Sequence, residues 1–202
     1  MTVWRAQHPL ILASQSAARR AQLDNAGIAV ETIPADLDER AIQQNSGLKN
    51  PGDIAGLLAG EKARYVSRKH PGRYVVGADQ TLALGDRLFS KPENRAAAAQ
   101  QIGLLAGRSH ELHSAVSVMK DGAPLFAHVS VARMTMRHLT ADDIAAYVDE
   151  AGDAVTASVG AYQLEGAGVH LFARIEGDHF TILGLPLLPL LDFLRREKLL
   201  AI

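Results

Sequence analysis

Residues 74 to 92 read YVVGADQTLALGDRLFSKP. A short apolar and β-branched run (Tyr74, Val75, Val76) stops at Gly77, and Asp79 follows at once. A second apolar run, Thr81 to Leu84, turns through Gly85 and Asp86 and arrives at Lys91-Pro92. Runs of this kind bounded by glycine and aspartate are strand signals. The pattern predicts a strand, a carboxylate at its C-terminal end, a hairpin-like return, and an ammonium held before a proline. Ligands of α/β proteins collect at the carboxyl ends of strands, which makes Asp79 a candidate catalytic group. A turn aspartate and a surface lysine share the same spelling, so the rest of the chain has to decide.

A chain of 202 residues can bury one substantial core. No linker, repeat or low-complexity tract divides it, and residues 1–202 are expected to form a single α/β domain. The formal net charge of −1 supplies no global basic field, so a nucleic-acid partner is not expected. The absence of cysteine removes disulfides, thiolate nucleophiles and zinc–thiolate centres, which suits a reducing cytoplasm. Neither the opening MTVWRAQHPLILAS nor the proline-interrupted ILGLPLLPLLDFLRR reaches the roughly 20 apolar residues of a membrane span. A cytoplasmic protein without targeting signal or membrane contact is expected.

Outward from the central stretch, PLILA (9–13) reads as a buried first strand, and Ser14-Gln15-Ser16 supplies hydroxyls at its end. AARRAQLDNAG follows as a helix stopped by Gly27. Backbone N–H groups at such a turn form an anion site, with Ser14 and Ser16 as further donors and Arg19 and Arg20 one turn on. A serine N-cap beside solvated arginines is the simpler alternative. Residues 28–33 alternate as a strand, and PADLDER (34–40) then gathers Asp36, Asp38 and Glu39 in an acidic loop suited to metal or water binding. Residues 52–70 predict an amphipathic helix with Ile54, Leu57, Leu58, Ala63 and Val66 on one face and Glu61 and Lys62 elsewhere.

Beyond the central stretch, Arg95 to Leu105 is an alanine-rich helix, followed by long alternating strands around a Lys120-Asp121-Gly122 hairpin turn. Thr140 to Asp149 has a threonine-capped helix start, and residues 158–175 combine a Gly-rich turn with another strand. Glu176-Gly177-Asp178 leads to a last helix entered through Pro186 or Pro189. Long alternating strands point to an extended mixed or antiparallel sheet.

No Walker loop, no G-x-G-x-x-G after the first strand and no G-x-S-x-G is present. His110 and His113, on an alternating strand, point to opposite faces and are not expected to ligate metal. What remains is a hydroxyl-plus-arginine turn, an acidic loop, a helical lysine, a strand aspartate and a lysine before proline. Carboxylates and cations without a covalent nucleophile suit hydrolysis of a polyphosphate. The carboxylates hold Mg²⁺ and orient or deprotonate water, and the cations take up phosphate charge.

In this order the motifs resemble those of the Maf-like nucleoside triphosphate pyrophosphatases, from Leu10 to Leu194. The family's L-I-L-A-S-x-S opening and paired arginines stand here as Leu10 to Ser16 and Arg19-Arg20. Its V-D-E, K-A, G-A-D and K-P elements stand as Leu37-Asp38-Glu39, Lys62-Ala63, Gly77-Ala78-Asp79 and Lys91-Pro92. Its L-x-G-R-x-H, G-x-Y-x-x-x-G, I-x-G-D and G-L-P turns match Leu105 to His110, Gly160 to Gly166, Ile175 to Asp178 and Gly184 to Pro186.

The resemblance implies an α/β fold with a long twisted mixed sheet flanked by helices, two lobes and a central cleft, as in Maf and inosine-triphosphatase folds, often in a homodimer. It implies a house-cleaning hydrolysis of a nucleoside triphosphate at the α–β bond, with a divalent Mg²⁺ or Mn²⁺ cofactor. Carried over position by position, Asp79, Glu39, Lys62 and Lys91 are the catalytic set. Asp79 is the proton acceptor and, with Glu39, holds the metal. Ser14, Ser16, Arg19, Arg20, Gln80 and Glu165 are the expected substrate-binding residues.

Base preference is expected to depend on Ala18, Gln80 and Glu165. The dTTP/UTP subgroup shows S-P-R-R, G-A-D-T and a glutamine in these motifs, whereas the 7-methyl-GTP subgroup carries tryptophan, glutamine and glutamate. The chain matches two of the latter three, with Ala18 in place of the aromatic. A carboxylate suits the N1–H and N2–H₂ edge of guanine, and loss of the aromatic weakens stacking on a cationic base. The lean is therefore toward a purine-like or modified base over dTTP or UTP. A nucleotide-binding regulator of cell division or septum formation with little turnover is the alternative from another class. The intact Glu39, Lys62, Asp79 and Lys91 set argues against it.

Overall fold

A computed structural model describes residues 3–202 of the chain. Its strands are β1 (Leu10–Leu12), β2 (Val30–Thr32), β3 (Val75–Leu84), β4 (Arg87–Phe89), β5 (Ser109–Lys120), β6 (Ala123–Met136) and β7 (Phe172–Glu176). They form one mixed sheet in the order β2-β1-β3-β5-β6-β7, with β4 paired to β3. Helices α1 (Ala17–Asn25), α2 (Glu39–Ser46), α3 (Pro51–Ser67), α4 (Arg95–Leu105), α5 (Ala141–Ala151), α6 (His179–Ile182) and α7 (Leu187–Arg196) flank it.

β1 pairs in parallel with β2 and with β3, so Leu12 lies opposite Thr32 on one side and Val76 on the other. Strands in that position are covered on both faces, which explains the uninterrupted apolar spelling of Leu10–Leu12. β3 and β4 are antiparallel, with Leu84 opposite Arg87, so Gly85-Asp86 forms the expected hairpin return. Between β5 and β6 the turn residues Asp121 (φ 53°) and Gly122 (φ 75°) both adopt the left-handed conformation that a tight hairpin requires. The last helix has Pro186 as its N-cap residue.

Two sequence expectations change. Residues 75–84 are one ten-residue strand, so Asp79 sits inside β3 and not at its C-terminal end. Gly77 does not break the strand, because it serves a close approach. A Cβ at Gly77 would collide with the Ala59 carbonyl oxygen and come within 2.7 Å of the Ala63 nitrogen, both on α3. What ends earlier is the parallel neighbour, whose last pair with β3 is Leu12–Val76, three residues before Asp79. Asp79 thus still stands beyond the carboxyl end of the parallel pairing.

The second change is α2, which the acidic spelling of residues 34–40 concealed. Asp38 caps the helix by accepting a hydrogen bond from the Ala41 nitrogen (3.0 Å), and Gly47 closes it with φ 67°. Only Asp36 of the three acidic residues remains in a loop; it is exposed.

The chain packs as two compact units. One contains the described residues through Gln80 with Ser114–Ser130 and Gly184–Ile202, and the other Thr81–His113 with Val131–Leu183. β3, β5 and β6 contribute residues to both. In the first unit Ile11, Val75, Val66 and Met119 pack together, and the small residues Ala55, Ala59 and Ala63 let α3 lie close to the sheet. No described helix is long and apolar enough to cross a membrane.

In the second unit, two of the turn motifs meet in the core. His110 is buried, and its Nε2 lies 2.7 Å from the Tyr162 hydroxyl. Tyr162 is also set edge-on to Phe172, with ring centroids 4.8 Å apart. His113 is engaged separately, 3.2 Å from the Glu111 carboxylate. The two histidines therefore have different surroundings, as strand alternation requires.

Burial pulls the His110 imidazole from 6.5 down to about 4. The unfolded chain then binds more protons between those two values. The contribution of a neutral His110 is complete above about pH 6.5 and is lost as the pH falls toward about 4, a change of about 3 kcal/mol. Urea midpoints are expected to fall over that window, and to fall less steeply in His110→Gln. An equal slope in the variant would assign the acid sensitivity elsewhere.

Candidate active site

Helix α3 starts with Pro51 at N1 and with the Asn50 side chain accepting from the Gly52 and Asp53 nitrogens (2.9 and 3.1 Å). So anchored, it runs 17 residues past β3. Lys62, which the sequence pattern put away from the apolar face, is buried with 8% exposure. The reason is the glycine–alanine contact between β3 and α3. It brings the helix so near the strand that a lysine beside Ala63 reaches the Asp79 side chain.

Lys62 Nζ lies 2.6 Å from Asp79 Oδ1 and 2.9 Å from Glu39 Oε2. Asp79 is 8% exposed, whereas the Glu39 side chain is 45% exposed. Glu39 is the first residue of α2, where free backbone N–H groups favour a carboxylate. One ammonium is therefore held between a buried and an open carboxylate. Burial raises the Asp79 carboxyl above the ordinary aspartate range, opposed by the Lys62 and Arg19 cations. A carboxylate raised in this way is better matched to accepting a proton near neutral pH.

The hydroxyl turn after β1 joins the same place. Ser14 is buried, and its Oγ accepts from the Ser16 nitrogen and from Arg19 Nη1, both at 3.2 Å. Ser16 is the N-cap residue of α1, its Oγ accepting from the Arg19 nitrogen at 3.4 Å. Arg19 turns inward and donates to the carbonyl oxygens of Ala78 (2.9 Å) and Gly184 (2.8 Å). Arg20 turns outward, is exposed, and pairs with Asp24 at 3.3 Å on its own helix. The structure thus gathers Ser14, Arg19, Glu39, Lys62 and Asp79 and leaves Arg20 on the surface.

Gln80 is half-buried and donates from Nε2 to the Ser114 hydroxyl at 2.9 Å. Lys91 and Glu165 belong to the second unit. Lys91 is exposed, just before the buried Pro92, and Glu165 is exposed in the turn that follows Tyr162. The sequence reading missed Ser114 and the Gly184 carbonyl. Only the G-L-P spelling at Gly184 carried a signal for the latter.

Glu39 and Asp79 direct two carboxylates at a single cation position, the one that Lys62 Nζ takes. Mg²⁺ is commonly held by one or two carboxylates, with substrate phosphates and water completing the shell. Among the described residues no group of three or more His, Asp or Glu side chains gathers, so these two carboxylates are the donors the site offers to such an ion.

A family model for "Maf-like protein" matches residues 9–197. The chain belongs to the Maf-like family. This Maf-like protein is 65% identical over 202 residues, covering all of both chains, to the nucleoside triphosphate pyrophosphatase of Rhodopseudomonas palustris. It is 53% identical over 192 residues, 94% of this chain and 96% of the other, to the 7-methyl-GTP pyrophosphatase of Brucella abortus biovar 1. Among solved structures, a HAM1 protein from Coxiella burnetii aligns with 63% of this Maf-like chain and 72% of its own, at 21% identity and a TM-score of 0.43.

Proposed function

We propose that the chain is a nucleoside triphosphate pyrophosphatase that cleaves the α–β phosphoanhydride with water, giving a monophosphate and pyrophosphate. The observation that carries this reading is the Glu39–Lys62–Asp79 arrangement, a buried carboxylate 2.6 Å from an ammonium that a second carboxylate also holds. The names of the relatives from Rhodopseudomonas palustris and Brucella abortus support it.

In the reaction Asp79 takes a proton from water as its oxygen bonds to the α-phosphorus, and the bond to the bridging oxygen breaks. Lys62, already desolvated beside Asp79, takes up phosphate charge once nucleotide enters. Glu39 and Asp79 are the residues that would hold Mg²⁺ or Mn²⁺, which when bound neutralises charge developing on the phosphate oxygens. Ser14 and Ser16 lie at the α1 N-terminus, where anions are favoured.

For the base, Gln80 and Glu165 favour a guanine-like or modified purine such as 7-methyl-GTP, and the 53% identical relative of that name supports the choice. A house-cleaning role, a homodimer and a cytoplasmic location complete the reading. Pyrophosphate release from a nucleotide panel with Mg²⁺ or Mn²⁺ is the test. Preference for 7-methyl-GTP over UTP and dTTP is expected. Dominance of UTP and dTTP would overturn the base assignment. Tight nucleotide binding without turnover would replace the enzyme with a nucleotide-binding regulator of cell division.

A further inference from the structure

We infer that Arg19 is a positioning residue that fixes the Ala78–Asp79 backbone to the Gly184 turn. The inference rests on the reading of Asp79 as the base. Three contacts of the guanidinium carry it. Nε donates to the Gly184 carbonyl (2.8 Å), and Nη1 donates to the Ala78 carbonyl (2.9 Å) and the Ser14 hydroxyl (3.2 Å). The partners lie 165, 59 and 5 positions away in sequence.

Arginine is suited to this task by geometry. Its planar fork offers several donors in fixed directions, so one side chain can tie three acceptors at defined angles, which a lysine ammonium cannot do. The Ala78 carbonyl belongs to the residue immediately before Asp79. A rotation of that peptide would swing the Asp79 carboxylate away from Lys62. Nε and Nη1 are both committed to these contacts, so moving them would cost hydrogen bonds at the Ala78, Gly184 and Ser14 oxygens.

Gly184 is shaped around the same guanidinium. Its φ is +93°, a conformation that side chains rarely adopt, and a Cβ there would stand 3.3 Å from both Nε and Nη2 of Arg19. This accounts for a glycine at the first position of the G-L-P motif. Through Gly184 the motif serves the base from 165 positions beyond Arg19.

A kcat-against-KM comparison separates positioning from phosphate binding by Arg19, supported by calorimetric binding of pyrophosphate. Arg19→Lys and Arg19→Gln are expected to lower kcat about 10²-fold, with KM and the pyrophosphate Kd within about threefold of the parent. Gly184→Ala keeps the charge of Arg19 and crowds its head group while straining the turn that accepts from it. It is expected to lower kcat in the same way, and it carries the test if the Arg19 variants do not fold. Circular dichroism melts check that each protein is folded. A rise of tenfold or more in KM and in the pyrophosphate Kd with kcat intact would overturn the inference, as would a Gly184→Ala enzyme with parental kcat. Full turnover in Asp79→Asn would instead remove the base reading on which the inference rests. An inactive Asp79→Asn beside a high-KM Arg19→Gln removes the positioning role alone.

Discussion

Asp79→Asn is expected to lower kcat by about 10³-fold while nucleotide affinity measured without added metal stays within a few-fold of the parent. Asparagine has the same shape and fits the same buried site, but it cannot take a proton from water. Lys62 keeps Glu39 at 2.9 Å and can still donate to the asparagine oxygen. The variant therefore loses the chemistry without losing the phosphate-facing ammonium. Pyrophosphate release under saturating nucleotide, with a calorimetric titration of a non-hydrolysable analogue, reads the two quantities separately. Turnover within tenfold of the parent would exclude Asp79 as the base.

Gly77→Ala is the second large effect, and it acts through packing. The added methyl would meet the Ala59 carbonyl oxygen and the Ala63 nitrogen, both backbone atoms that cannot rotate away. Either α3 lifts from β3 or the strand bends, at a cost of about 3 kcal/mol by analogy with overpacked cores. For a chain of this size that corresponds to a melting temperature lowered by about 10 °C. Lys62 rides on α3, so its 2.6 Å contact with Asp79 lengthens with the displacement. A misplacement of about 1 Å can cost roughly 10²-fold in rate. Folded Gly77→Ala protein with parental melting temperature and kcat would show that the close approach is dispensable.

The spelling of the chain revealed the elements whose causes are local. β1 is a short apolar run, α4 is bounded by Asn94 and Ala106, and α5 carries its threonine cap with the Asp143 capping box. The hairpin turns at Gly85-Asp86 and Asp121-Gly122 were equally legible, because their residues dictate their backbone. Errors arose where distant packing overrides local preference. Gly77 looked like a strand end because its close contact lies on α3, which sequence alone does not place beside it. The burial of Lys62 has the same cause, since its place off the apolar face fits an exposed lysine equally well.

Within the site, the residue types were legible and their partners were not. Arg19 and Arg20 are adjacent and chemically equal in sequence, yet one is drawn to the Ala78 and Gly184 carbonyls and the other rests on Asp24 at the surface. Helical periodicity puts the two on different faces, but only the fold says which face meets β3.

The hydrogen bond from Arg19 to Gly184 spans 165 positions and so also imposes a timetable. A ribosome adds about 5–20 residues per second, so Arg19 is synthesised on the order of 10 s before its last partner exists. A nascent chain can hold Ser14, Glu39, Lys62 and Asp79 long before their arrangement is locked. On the positioning role of Arg19, competence for nucleotide cleavage is thus deferred until residue 184 has been made. A chain cut short before Gly184 is expected to emerge without it.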